Sequence, residues 1–250
     1  MHGKFYIPDR VRELLAVGGE EVEGALLFAD LSGFTSLSEK LCALGNKGVE
    51  ELATLLSYYL EGVVGVARTY GGIVLKFLGD GLLVGFYGDA SRKAEVCAKE
   101  MLGFLDRSGV IETSVGYVPL SMKVAVSFGS WGEGIVGNKD RFDMFLFGDV
   151  VRELVIAESL VKDGSYMSVS VKSKPKKSRC LEFGIGTSVE CFLPAIIRER
   201  GADVARAEFR VIAPLFIEVS GCDDIKLVSE IFSSVVEIVE GAGGMVQGID

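Results

Sequence analysis

The sequence has few of the residues on which several common chemistries depend. Its 250 residues include a single histidine, His2, so the chain has no internal histidine to act as a base or a metal ligand. Cysteine is also scarce, and the five cysteines are odd in number and lack Cys-x-x-Cys spacing. This pattern argues against a structural zinc site and favours a reducing compartment.

Long apolar runs and excess positive charge are also lacking. No uncharged apolar run reaches the roughly 18 residues of a membrane helix, and the N-terminus has no signal-peptide pattern. We therefore expect a cytoplasmic protein without a membrane span. The net charge of −9 disfavours binding to nucleic acid or to anionic lipid. The basic run at 172–179 is interpreted as a solvated loop, with an anchor for a phosphate-rich partner as the alternative.

The composition supplies ample material for a core, because 49% of the residues are hydrophobic and only 24% are charged. The length allows one large domain or one and a half ordinary ones. Periodicity predicts helices at 11–17, 49–70, 90–106 and 150–160. A further helix is predicted with Thr35 or Ser36 as its cap, and Glu39 is placed for a capping box from Ser36. Strands are predicted at 25–31, 73–77, 82–86, 122–128, 131–136, 142–147, 166–171 and 180–183, with 122–128 and 131–136 as a pair. The irregular alternation favours an α+β fold, with a mainly antiparallel sheet covered by helices.

Two aspartates interrupt strand-like apolar runs. Asp30 lies in Phe-Ala-Asp-Leu-Ser-Gly-Phe-Thr at 28–35, and Asp80 closes Lys-Phe-Leu-Gly-Asp at 76–80. Aspartate is a poor strand residue, and a buried carboxylate needs a partner or a metal. Two of them at neighbouring strand ends suggest a site for a hard cation. Taken alone, Asp30 is equally explained as a cap or turn residue, and Asp80 as a plain Gly-Asp-Gly turn.

The two motifs together resemble the catalytic domain of class III nucleotidyl cyclases. The pattern Phe-x-Asp-x-x-Gly-Phe-Thr, followed about fifty residues later by Lys-x-x-Gly-Asp, is most similar to the first domain of tandem soluble adenylyl cyclases. The resemblance runs over about 6–193 and weakens after Gly148. It implies the ferredoxin-like cyclase fold and the conversion of ATP, with GTP as the alternative substrate, to a cyclic nucleotide and pyrophosphate in intracellular signalling.

The resemblance also implies a site with two Mg²⁺ or Mn²⁺ ions. Asp30 and Asp80 match the family's metal ligands, and the carbonyl of Leu31 is a plausible further ligand. Mg²⁺ binds a few carboxylates together with phosphate oxygens, and paired ions stabilise both the attacking and the leaving oxygen.

Phosphate and base contacts follow from the same alignment. The backbone N–H groups of Gly33, Phe34 and Thr35, at the start of a helix, can point at phosphate. Lys76 matches the purine-contacting lysine, although a strand lysine that reaches out to solvent is an equal alternative. In two-domain cyclases, Lys76 would face the second, often non-catalytic site.

The sequence departs from the family pattern after this point. Counted from Gly148, the positions of the base-selecting residue, the ribose-binding asparagine and the phosphate-binding arginine hold Phe145, Arg152 and Ile156. Losing one such electrostatic contact commonly costs on the order of 10²–10³ in rate. A homodimer of this domain is therefore expected to be poor or inactive, with Arg152 as only a weak substitute cation.

An internal repeat suggests where the other half comes from. Leu-Phe-Ile-Glu-Val-Ser-Gly at 215–221 echoes Leu-Phe-Ala-Asp-Leu-Ser-Gly at 27–33, and Gly-Gly-Met-Val at 243–246 follows a helical stretch at 224–240. We expect a complete cyclase domain at 1–193, a linker at 194–207 and the opening of a second domain at 208–250. The second copy has Glu218 at the metal position and Gly248 at the lysine position.

Three functions remain open from the sequence. The first is an enzyme half that a second cyclase-homology domain, in the same chain or in a homodimer partner, completes. The second is a degenerate module that binds Mg²⁺-nucleotide and regulates a larger signalling protein. The third, a structural dimerisation unit, does not account for the two strand-end aspartates.

Overall fold

A computed structural model of the chain describes residues 8–138, 140–175, 189–193, 198, 214–219 and 224–249. The strands are β1 (Gly19–Ser32), β2 (Ile73–Leu78), β3 (Gly81–Tyr87), β4 (Val110–Thr113), β5 (Gly116–Pro119), β6 (Ser121–Asn138), β7 (Arg141–Phe147) and β8 (Ser165–Ser170). The helices are α1 (Asp9–Val17), α2 (Phe34–Cys42), α3 (Asn46–Thr69), α4 (Ala94–Ser108), α5 (Asp149–Leu160) and α6 (Ile225–Gly241). Short 3₁₀ turns lie at Gly88–Lys93 and Val189–Phe192. None of these described helices is long and apolar enough to cross a membrane.

The main sheet has the order β2-β3-β1-β6-β7, and every neighbouring pair in that order is antiparallel. The strand β8 adds to the first half of β6 in a parallel pair, while β7 pairs with the second half. Helices cover both faces of this sheet. The predicted α+β class with a mainly antiparallel, helix-covered sheet is confirmed.

The helices divide the core into two layers. The apolar stripes of α2, α3 and α4 pack on one face of the sheet, around residues such as Leu27, Ala29 and Leu31 of β1. The other face, which includes Leu26 and Trp131, packs against α1 and α5. Because side chains alternate along a strand, the run at 25–31 serves both layers and is apolar throughout, apart from Asp30.

The predicted break between 122–128 and 131–136 is wrong. One strand, β6, runs through both segments, because all fourteen residues of β1 pair along it from Gly19–Gly134 to Ser32–Ser121. Gly129 separates the two predicted segments but lies inside the strand at φ +146, where a Cβ would meet the Val171 carbonyl oxygen at 2.5 Å. The glycine therefore permits close packing of two backbone segments rather than a chain reversal.

Two further details differ from the sequence prediction. The helix α2 begins at Phe34, with Gly33 at φ 82 as its N-cap and no side-chain cap, so the predicted capping box from Ser36 is wrong. The fourth predicted helix, 90–106, starts later, at Ala94, after a 3₁₀ turn. The β4–β5 hairpin was not predicted, and the predicted strand at 180–183 lies outside the described residues.

The segment predicted to open a second domain contributes α6, which begins after the N-cap Asp224. This helix packs against the end of the β6–β7 hairpin, where Phe232 and Val236 join a cluster with Val136 and Phe145. The described stretches 214–219 and 244–249 form no strand. The predicted linker at 194–207 lies almost entirely outside the described residues, and the domain boundaries remain predictions.

Candidate active site

The sheet brings Asp30 and Asp80 to one edge. The β1–β3 register ends with Ala29 opposite Leu82, so Asp30 follows the last paired residue of β1. Asp80 directly precedes Gly81, the first residue of β3. Because the two strands are antiparallel neighbours, the end of one and the start of the other lie side by side. Asp30 and Asp80, which are fifty positions apart in the sequence, therefore form a half-buried pair of carboxylates.

The electrostatics of Asp30 reflect this neighbour. Burial raises the pKa of Asp30 to about 6, with further contributions from the negative charges of Asp80 and Glu158. The Lys123 ammonium and the Leu31 N–H act in the opposite direction but do not cancel the shift. A site that crowds carboxylates in this way is poised to accept a cation.

Asp30 and Asp80 together suit a hard divalent cation that takes its remaining ligands from water and from a bound substrate. Among the residues that the structure describes, no group of three or more histidine, cysteine, aspartate or glutamate side chains could hold a metal ion. Two carboxylates suit Mg²⁺, which keeps several waters and completes its shell with phosphate oxygens. Leu31 continues β1 beyond the last β3 pair, so its backbone lies at the same edge as Asp30.

A helix N-terminus adjoins the carboxylates. Gly33 follows β1 at once and is the N-cap of α2, with Phe34 and Thr35 as the first helical residues. The first N–H groups of a helix have no intrahelical partner, and no side chain caps this helix. The helix N-terminus therefore presents unpaired backbone donors close to Asp30, and such donors are able to bind an anion.

Lys76 lies in a different cluster. Its Nζ donates to the Ile249 carbonyl and is 3.7 Å from Oδ2 of Asp143, and this Oδ2 also accepts a hydrogen bond from the Ile249 N–H at 2.8 Å. The side chain is only 11% exposed, so it does not extend freely into solvent. The C-terminal end of the described chain thus covers the candidate base-contacting lysine.

The residues at the three positions that depart from the family pattern do not replace the missing contacts to the base, the ribose and the phosphates in the described part of the chain. Phe145 stacks with Phe147 beneath α6. The Arg152 guanidinium pairs with Asp149 on its own helix at 2.9 Å, and Ile156 is exposed.

Lys123 is a site residue that the sequence analysis missed. It stands directly opposite Asp30 in the β1–β6 register, and its Nζ is 3.9 Å from Asp163, whose carboxylate also accepts from the Ser32 hydroxyl. The sequence feature that could have indicated it is the presence of a lysine inside the apolar run 122–128. Lys123 places one positive charge beside the carboxylates and near the start of α2.

The raised pKa of Asp30 predicts that the stability of the folded protein falls as this carboxyl group becomes charged. The carboxyl contributes stability that is fully present below its ordinary pKa of 3.8 and is lost as the pH rises through about 6. We expect Asp30→Asn to stabilise the metal-free protein at pH 7.5 by about 1 kcal/mol, after discounting for solvent screening, and to have little effect at pH 4. Thermal unfolding at both pH values measures this difference. The exposed Asp106→Asn should show no gain at either pH, and an equal gain for Asp30→Asn at both values would contradict the assignment.

An antiparallel sheet flanked by helices, with two carboxylates at the β1–β3 edge beside a helix N-terminus, is the arrangement that the cyclase resemblance implies. No protein-family model matches the chain. Among curated proteins, it is 26% identical over 148 residues to adenylate cyclase type 10 of Oryctolagus cuniculus. That match covers 56% of this chain but only 9% of the relative's own length.

Solved structures of nucleotidyl cyclases are similar to this chain in fold. A bacterial light-regulated adenylyl cyclase matches with a TM-score of 0.52 and 28% identity, over 62% of this chain and 46% of its own. The guanylyl cyclase Cya2 matches with a TM-score of 0.50 and 28% identity, over 60% and 75% of the two chains. The chain is thus a homologue of adenylate cyclases, and its resemblance to class III cyclase catalytic domains is confirmed.

Proposed function

We propose that the chain supplies the metal-binding half of a class III nucleotidyl cyclase that converts ATP to cyclic AMP and pyrophosphate in the cytoplasm. The observation that carries this proposal is the meeting of Asp30 and Asp80 at one sheet edge, with the N-terminus of α2 a few residues after Asp30. The similarity to adenylate cyclases favours ATP over GTP as the substrate.

Each group of the site has a part in this proposal. Asp30 and Asp80 would hold two Mg²⁺ or Mn²⁺ ions, with the Leu31 carbonyl as a further ligand. When bound, these ions activate the ribose 3′-hydroxyl and neutralise charge on the phosphates. The first N–H groups of α2 would orient the triphosphate, and the Lys123 ammonium would offset its negative charge.

The second half of the site would come from a partner domain. Phe145 and Ile156 offer no hydrogen bond to a base and no charge to a phosphate, so two copies of this domain alone lack these contacts. We infer that a second cyclase-homology domain, of which the repeat at 208–250 would be the opening, provides them. The same two residues favour the alternative function, a regulatory module that binds Mg²⁺-nucleotide without turnover.

Incubation of the full-length protein with radiolabelled ATP or GTP and Mn²⁺ separates these functions. The enzyme forms a labelled cyclic nucleotide and pyrophosphate in equal amounts, and we expect this product from ATP. Tight, metal-dependent nucleotide binding without cyclic product would instead support the regulatory module. Absence of both binding and product would contradict the two proposals together.

A further inference from the structure

Tyr59 of α3 carries a buried hydroxyl group that the fold itself does not use. Only 1% of the residue is exposed, and its hydroxyl oxygen has no hydrogen-bond partner among the residues that the structure describes. Burial of an unpaired hydroxyl is unfavourable, and a phenylalanine would pack in the same space without that cost. The hydroxyl therefore calls for an explanation other than packing.

The position of Tyr59 links it to the carboxylate pair. Its ring belongs to the same packed cluster as Ala29 and Leu31, which flank Asp30, and as Leu82, which lies two residues after Asp80. Burial raises the pKa of Tyr59, and the charges of Asp30 and Asp80 raise it further, so the phenol stays protonated at neutral pH. A protonated hydroxyl that can rotate about its C–O bond is a donor suited to a nearby carboxylate.

We propose that Tyr59 is a positioning residue for the divalent-cation site, whose hydroxyl donates a hydrogen bond to a carboxylate of the Asp30–Asp80 pair when that pair ligates a cation. This proposal rests on the proposed function. Without a cation the two carboxylates repel each other, whereas a shared cation draws them together and fixes their orientation. A ligating carboxylate keeps lone pairs that accept hydrogen bonds from residues behind it, and the loss of such a bond typically weakens metal binding about 10–100-fold.

The test compares Tyr59→Phe with Tyr58→Phe in the full-length protein. Tyr58 is the adjacent residue of α3 and is 53% exposed, so its variant loses the same hydroxyl on the solvent side of the helix. Binding of Mn²⁺ is measured by electron paramagnetic resonance of the free ion, and metal-free stability by thermal unfolding. We expect Tyr59→Phe to raise the Kd for Mn²⁺ about tenfold or more, with an unchanged or higher metal-free Tm. Tyr58→Phe should change neither quantity.

The outcomes separate this inference from the function on which it rests. If the wild type binds Mn²⁺, Asp30→Asn does not, and Tyr59→Phe binds as tightly as the wild type, the role of Tyr59 is overturned while the metal site stands. A lower metal-free Tm for Tyr59→Phe would show that the hydroxyl has a partner in the metal-free fold, and would also overturn it. If the wild type binds no Mn²⁺, the metal site and the role of Tyr59 fall together.

Discussion

Replacement of Asp30 by asparagine is expected to reduce cyclic nucleotide formation by the full-length protein by a factor on the order of 10³. An amide keeps the shape of the side chain but removes the charge that would hold a divalent ion against the triphosphate. Because Asp30→Asn should also stabilise the metal-free fold at neutral pH, the loss of activity would not come from unfolding. The initial rate of product formation at saturating Mg²⁺ measures the effect.

A matched control is available in the same part of the sequence. Asp89 lies in the 3₁₀ turn after β3, and its side chain is 96% exposed, so Asp89→Asn should keep the wild-type rate. Asp80→Asn should show a loss similar to that of Asp30→Asn. Retention of more than about a tenth of the wild-type rate by both site variants would rule out the two-carboxylate metal site.

Replacement of Glu133 by glutamine is expected to lower the free energy of unfolding by about 3–5 kcal/mol. Glu133 is 1% exposed, and its carboxylate accepts hydrogen bonds from Arg10 Nε at 2.6 Å, Tyr87 Oη at 2.6 Å and Trp131 Nε1 at 2.8 Å. The guanidinium of Arg10 also lies over the Tyr87 ring, 4.9 Å from its centroid. An uncharged amide would leave this buried guanidinium without its main counter-charge, and would turn an N–H₂ group towards it. Chemical denaturation in urea measures the loss.

Two comparisons identify the buried charge as the cause. Glu13 also pairs with Arg10, but its side chain is 63% exposed, so Glu13→Gln should cost less than about 1 kcal/mol. The double variant Arg10→Met/Glu133→Gln should recover at least half of the loss, since it removes the guanidinium that has lost its buried counter-charge while the amide carbonyl still accepts from Tyr87 and Trp131. Equal urea midpoints for Glu133→Gln and Glu13→Gln would contradict the interpretation.

This network joins the N-terminal helix to the sheet. Arg10 belongs to α1, Tyr87 ends β3, and Glu133 and Trp131 lie in β6. Sequence patterns did not reveal it, because a glutamate within a strand usually faces solvent and nothing local indicates a buried arginine more than a hundred residues away. Only the pairing of distant elements shows why these polar residues are buried together.

The prediction of local structure succeeded where periodicity and turn chemistry agree. The stripe along α3 and the Gly-Asp-Gly turn between β2 and β3 both follow from short-range preferences. The predicted break between 122–128 and 131–136 failed, because Gly129 continues the strand and permits close approach between two backbone segments. The prediction also failed at Ser36, because Gly33, three residues earlier, is the N-cap of α2.

The sequence by itself determined the chemistry that this chain can offer: two strand-end carboxylates, a glycine before a helix and no internal histidine, in a pattern that resembles nucleotidyl cyclases. The tertiary structure decided which of these groups meet. The β1–β3 register brings Asp30 to Asp80, the β1–β6 register sets Lys123 opposite Asp30, and α3 packs Tyr59 into the same core layer as the neighbours of Asp30. The physical reason is that residue types and short-range periodicity are local properties, whereas the burial and the interaction of charges depend on contacts between residues far apart in the chain.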